Sequence, residues 1–154
     1  MAKIVSGGQT GVDRAALDLA LSLNHPCGGW CPRGRKAEDG PLDPVYPLQE
    51  TPSDQYEQRT EWNVRDSDGT LVLTHGEVTG GTALTIELAR AMAKPCLVLD
   101  LAAPADPHIA WSWIKTEKVR VLNVAGSRES LKPGVYHAAL QFLRTVLELR
   151  DKES

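Results

Sequence analysis

Lys3-Ile4-Val5-Ser6-Gly7-Gly8-Gln9-Thr10-Gly11-Val12-Asp13-Arg14-Ala15-Ala16-Leu17-Asp18-Leu19 changes its hydrophobic period midway. Residues 3–6 read as a short buried strand, and the glycines at 7, 8 and 11 break it. From Val12 the apolar residues fall at helical spacing, with Val12, Ala15, Ala16, Leu19 and Leu23 on one stripe. Leu17 and Leu21 lie on the opposite side. A helix apolar on two faces is sandwiched in a core or buried against a second subunit.

The same strand–turn–helix unit recurs along the chain. Residues 27–31 read as a strand ended by Pro32, and 32–52 as a long loop rich in Gly, Pro and charge. Thr51 as N-cap and Pro52 at the first helical position predict a helix running to about Ser67. Strands follow at 69–74, 96–101 and 119–124, and helices at 82–93, after Asp106-Pro107 and after Pro133. About five strand–helix alternations, with strands that are continuous apolar runs, predict a parallel sheet covered on both faces. The expected fold is α/β: a Rossmann-like, doubly wound parallel sheet in three layers, with residues 1–154 forming a single domain. In such folds ligands sit outside the carboxyl ends of the strands.

Composition narrows the function. Seventeen Lys and Arg against 20 Asp and Glu give a net charge of −3, not the basic surface that nucleic-acid binding needs. No apolar stretch approaches the length of a membrane span, and the N-terminus lacks the apolar core of a secretory signal. Three cysteines argue against a disulfide framework, and a cytoplasmic location is the expectation.

Two diglycine turns lead straight into helices: Gly7-Gly8-Gln9-Thr10-Gly11 and Gly80-Gly81-Thr82. Free N–H groups and the helix dipole favour an anion at such a place, and both turns are expected on one rim with their amides directed outward. The spacing is neither a dinucleotide fingerprint nor a Walker loop, because no Lys follows Gly11 or Gly81. The helix after Thr51 turns a half-polar face inward, so Arg59, Asn63 and Asp66 either line a cleft or bond to neighbouring loops. Arg33, Arg35 and Lys36 form a basic cluster that is either a lid over a bound phosphate or a solvated loop. Asp66 and Asp68 form a bare D-x-D pair, weak as a divalent-ion signal, and His25, Cys27 and Cys31 lack a second ligand pair, so no metal site is expected. Trp30 is the best candidate for stacking on a ring, while Glu87 is a candidate acid or base that could equally cover the flank of its helix.

Residues 6–18, 31–40, 59–70 and 80–82 resemble the motifs of the family named putative molybdenum carrier proteins, and the resemblance spans residues 3 to about 149. This family is similar to a wider Rossmann-like group that includes the lysine-decarboxylase-like phosphoribohydrolases. The resemblance implies a Rossmann-like fold, a homo-oligomer (dimer or tetramer), and binding of molybdenum cofactor or another small phosphorylated ligand. The related hydrolases carry Gly-Gly-x-Gly-Thr-x-x-Glu, whereas residues 80–87 here read Gly-Gly-Thr-Ala-Leu-Thr-Ile-Glu, so the hydrolase motif is incomplete.

The function expected from these residues is binding of a phosphate-bearing nucleotide-like or pterin ligand, with no established catalytic residue. A nucleoside 5′-monophosphate phosphoribohydrolase-like enzyme using Glu87 or Asp66 is the alternative. On either reading the ligand meets Gly7, Gly8, Gln9, Thr10, Gly11, Arg33, Arg35, Arg59, Asn63, Asp66, Gly80, Gly81 and Thr82.

Overall fold

The computed structural model describes residues 1–153. In chain order the elements are β1 (Lys3–Val5), α1 (Val12–Ser22), β2 (Cys27–Gly28), β3 (Trp30–Cys31), β4 (Gln49–Glu50), α2 (Tyr56–Arg65), β5 (Gly69–Thr74), α3 (Gly80–Ala91), β6 (Cys96–Asp100), α4 (Pro107–Thr116), β7 (Val121–Gly126) and α5 (Val135–Lys152). Five strands form one parallel sheet in the order β2-β1-β7-β5-β6. Helices α1, α4 and α5 pack together on one face and α2 and α3 on the other. This is the three-layer Rossmann-like arrangement that the alternation predicts. β5 is buried along its whole length, which explains its unbroken apolar run Leu71-Val72-Leu73.

The main core lies between the sheet and α1, α4 and α5, around Ile4, Val12, Leu19, Leu73, Ile114 and Leu122. The second apolar side of α1 has its own cover. Leu17 is fully buried in a small cluster with Cys31, Ala37, Leu42 and Leu48. The long loop 32–48 therefore buries Leu17, a contribution of about 1.5–3 kcal/mol for a leucine side chain. Leu21 and Leu23 remain 37% and 50% exposed, so the stripe expected to include Leu23 ends one turn earlier.

Arg35 organises that loop from within. Its guanidinium donates to the carbonyls of Leu42, Asp43, Tyr46 and Leu48 at 2.8–3.2 Å. Tyr46 then donates its hydroxyl to Asp18 of α1 at 2.6 Å, and Arg14 forms a bidentate pair with Asp39 at 3.0 Å. Four carbonyls lose the guanidinium together in Arg35→Met, at a cost of about 2–3 kcal/mol, though those of Asp43 and Tyr46 keep the N–H groups of Tyr46 and Leu48. The expected outcome is rapid protease cleavage within 33–48 with a lowered melting temperature; an unchanged digestion pattern would show that the apolar cluster alone holds the loop.

Three local expectations need correction. Residues 27–31 are not one strand. Gly29 has φ +125°, and a Cβ there would lie 2.5 Å from the Ser6 carbonyl. The chain turns at Gly29, so β2 stays in the main sheet and β3 leaves it to pair with β4. The helix also does not begin at Thr51-Pro52. The Thr51 N–H is donated to the Cys31 carbonyl, continuing the small sheet, and its hydroxyl goes to Ser53. With Thr51 held there, Gln55 becomes the N-cap of α2. α3 starts at Gly80, two residues earlier than the pattern of apolar residues indicates.

Candidate functional site

Strands β1, β7 and β5 are neighbours, so the loops leaving their carboxyl ends share one rim. Between those loops and the first turns of α2 lies a cleft of about 340 Å³, bordered among others by Gln9, Asp13, Arg59, Gly80, Gly81 and Arg128. Both diglycine bends reach this rim, but their amides behave differently. In the first bend Gln9 N–H donates to Asp13 at 3.3 Å, Thr10 N–H to the Gln9 side chain at 3.0 Å, and Val12 N–H to the Ser127 carbonyl at 3.1 Å. Its glycines serve close packing. A Cβ on Gly7 would lie 2.0 Å from Arg59 Nη1, and one on Gly8 would strike Leu42 and Leu48.

The second bend opens to the cleft. Thr79 caps α3 through its backbone alone, with no side-chain hydrogen bond, and a Cβ on Gly80 or Gly81 would meet nothing within 4 Å. The first N–H groups of a helix have no intrahelical acceptor, and the helix dipole adds partial positive charge there. Thr82 is buried just behind them and also borders the cleft.

Gln9 completes this donor set. It is 5% exposed, and its Oε1 accepts from the N–H groups of Thr10 at 3.0 Å and Glu38 at 2.9 Å. Those two bonds decide which end of the carboxamide is which. Nε2 is left buried with no partner, beside the cleft.

Beneath lies a buried ion pair. Asp13 Oδ2 accepts from Arg59 Nη1 at 3.1 Å, with the two side chains 5% and 11% exposed. Burial pushes the Asp13 carboxyl above its ordinary value, against the opposing pull of Arg59, the Gln9 N–H and Arg14. Arg59 Nε is also buried without a partner. A pocket of about 20 Å³ adjoins the pair, lined by Thr60, Asn63, Thr85 and Asn123 among others. Tyr56 sits at the cleft wall with Lys36, Arg59 and Arg128 stacked near its ring at 4.8, 5.1 and 5.6 Å.

The other residues singled out from sequence lie elsewhere. Asn63 holds β3 by accepting from Trp30 N–H at 2.8 Å and donating to Trp30 O at 3.0 Å. Asp66 is exposed, accepts from Trp30 Nε1 at 2.8 Å and pairs with Arg65, which with Trp30 keeps its carboxyl below the ordinary range. Asp68 accepts from the N–H groups of Arg120 and Val121 at the start of β7, so the two aspartates have separate duties. Trp30 packs edge-on against Trp62 at 4.7 Å. Arg33 is 67% exposed, 4.0 Å from Asp54, and Arg35 is engaged with its own loop. Glu87 is exposed on α3 and does not border the cleft. Thr10 and Gly11 face a separate pocket of about 400 Å³ beside Asp18, Tyr46 and Tyr136. Among the described residues no cluster of metal-ligating side chains is present, and no helix is long and apolar enough to cross a membrane.

Asp13, Ser127 and Arg128 were not expected at the site. Asp13 carried a signal in the sequence, as an acid in the first turn of α1 adjoining the apolar stripe, opposite a helix whose inward face holds Arg59. Ser127 carried a weaker one, as the end of the Ala125-Gly126-Ser127 turn between a strand and a helix, and Arg128 carried none.

Residues 4–147 match the family described as the circularly permutated YpsA SLOG family. Among solved structures, one described as "Putative molybdenum carrier protein" from Syntrophus aciditrophicus SB is 46% identical, covers 96% of this chain and 95% of its own, and superposes with a TM-score of 0.91. No curated protein sequence matches the chain. The resemblance seen in the motifs at 6–18, 31–40, 59–70 and 80–82 thus extends to nearly all of both chains. By its sequence over residues 4–147, the chain belongs to the circularly permutated YpsA SLOG family.

Proposed function

We propose that the protein binds a phosphate-bearing, nucleotide-like ligand in the cleft at the carboxyl ends of β1, β7 and β5. The anionic end rests on Gln9 Nε2 and the N–H groups of Gly80 and Gly81. The planar end lies toward Tyr56, Leu84 and Leu131, which supply the apolar part of the wall. The observation that carries this reading is the Gln9 carboxamide: a buried donor, fixed in orientation by two backbone N–H groups, with its own hydrogens unsatisfied. Leaving such a group unpaired costs about 1–3 kcal/mol, and an oxyanion removes that cost.

The finer form of the proposal is molybdenum-cofactor carriage, supported by the name of the related structure from Syntrophus aciditrophicus. The residues present suit such a cargo in one respect. The cleft border offers the donors of Gln9, Thr82 and Arg128, so the protein would grip a cofactor by its phosphate and ring edge.

Mass spectrometry of the small molecule that co-purifies with the protein tests the ligand class directly. Titration of the wild type and Gln9→Leu with the recovered ligand, or with nucleoside monophosphates and a pterin phosphate, tests the site. The expected result is at least about tenfold weaker binding by Gln9→Leu, the loss of one hydrogen bond to a charged group. Equal affinity in the two proteins, or no binding of any phosphate-bearing compound, would reject the reading.

A further inference from the structure

Beside the cleft, four donors converge on a carboxylate of the protein itself. Glu38, on the long loop, accepts from the Thr10 hydroxyl, from Ser130 N–H at 3.3 Å and from the Ser130 hydroxyl at 2.6 Å, and Arg128 Nη1 lies 3.6 Å away. Thr10 is held for this task, since its oxygen accepts from Glu129 N–H at 3.2 Å and its proton is thereby directed at Glu38. The donors come from the loops that follow β1 and β7, two adjacent central strands, at the rim where ligands of this fold class bind. Arg128 also borders the cleft, and Gln9, which does so too, accepts from the Glu38 N–H. One backbone N–H, two hydroxyls and a guanidinium form a donor set suited to a tetrahedral oxyanion.

We propose that this is an anion subsite continuous with the cleft, and that Glu38 occupies it as an internal stand-in for a second phosphate-like group of the ligand. The proposal rests on the reading of the cleft as an anion site and extends it: the full ligand carries two anionic groups, and the second displaces Glu38. The loop does not need Glu38 in order to stay folded. Arg35 ties it to itself, Arg14 holds Asp39, Asp18 holds Tyr46, and Leu42 and Leu48 are buried under it. A carboxylate whose removal leaves the loop anchored, on donors of which Arg128 borders the cleft and Thr10 the neighbouring pocket, is a plug more than a latch. The hydrogen bonds from Ser130 and Thr10 outweigh partial burial and keep the Glu38 carboxyl below its ordinary value, so it is fully charged at neutral pH.

Inorganic pyrophosphate is the probe, titrated into the wild type, Glu38→Ala and Gln9→Leu. Glu38→Ala is expected to bind at least tenfold more tightly than the wild type. Glu38→Gln keeps the side-chain shape, loses the charge and should gain about threefold; it decides the matter if Glu38→Ala does not fold. No gain, or weaker binding, in a folded Glu38 variant overturns the subsite. If Gln9→Leu weakens binding while the Glu38 variants gain nothing, the cleft reading stands and this proposal falls. If the gain appears and persists undiminished in Glu38→Ala combined with Gln9→Leu, the subsite stands and the assignment of Gln9 to the anion site falls.

Discussion

Gly11→Ala is expected to destabilise the protein by about 2–6 kcal/mol, from backbone strain of about 1–3 and steric displacement of about 1–3. Gly11 is the N-cap of α1 with φ +82° and ψ −128°, a conformation almost restricted to glycine. A Cβ there would lie 2.3 Å from the Ser127 carbonyl and 2.8 Å from Glu129 N, both main-chain atoms that have no rotamer to change. The loops after β1 and β7 would have to separate, breaking the Val12 N–H bond to Ser127 and moving Thr10 away from Glu129. Because the net stability of a domain is only about 5–15 kcal/mol, such a loss removes a large fraction of it. Gly34→Ala supplies the control: φ there is +83° but nothing lies within 4 Å of the added carbon, so only the conformational cost of about 1–2 kcal/mol is expected. Denaturant unfolding of the two variants measures the contrast. Equal midpoints would mean that the tight approach of the two loops contributes nothing.

The second large effect is expected from Arg59→Met. Removing one partner of a buried ion pair leaves the other charge uncompensated, at about 3–5 kcal/mol. Here the stranded group is Asp13, and pH reports on it. Burial raises its folded pKa above the unfolded value near 3.8, so its contribution favours folding at low pH and is lost as pH rises through the raised value. Without Arg59 a lowering influence disappears, and that loss extends to higher pH. The destabilisation of Arg59→Met should therefore be smaller at pH 5 than at pH 7.5. Adding Asp13→Asn removes the stranded charge and should recover most of the stability at pH 7.5. A pH-independent deficit, or no recovery in the double variant, would mean that Asp13 is not the cause. The double variant also gives a folded protein for ligand titration without the Arg59 guanidinium at the cleft floor.

Period and punctuation made much of this molecule legible. Alternation of apolar strands with helical stripes, broken by Gly and Pro, is a local property of the chain, and it carried the parallel sheet, its layers and the helix capped by Asp106. The placement of the glycine loops at the carboxyl ends of strands was equally open to reading, because the strand–helix handedness of such folds leaves no other edge for them. At Thr51 and at Gly29 a tertiary contact overrides the local preference of the chain. Thr51-Pro52 has every mark of a helix start, yet the hydrogen bond from Thr51 to Cys31 holds it beside β3. Gly29 gave no warning of a split strand, because the obstacle is the Ser6 carbonyl from a residue far back in the chain.

At the site the division is sharper. Sequence alone determined that two diglycine bends precede helices, and that an inward helix face carries Arg59 and Asn63. Only the folded structure decided that Asp13, Gln9 and Ser127 take the N–H groups of Gln9, Thr10 and Val12 in the first bend, that the second has open space around its glycines, and that Asn63 serves a strand while Gln9 borders the cleft. The reason is physical. A hydrogen-bonding residue has the same capacity wherever it stands, and whether that capacity is spent within the protein or left for a ligand depends on partners such as Asp13 and Arg59, 46 positions apart in the chain and 3.1 Å apart in space.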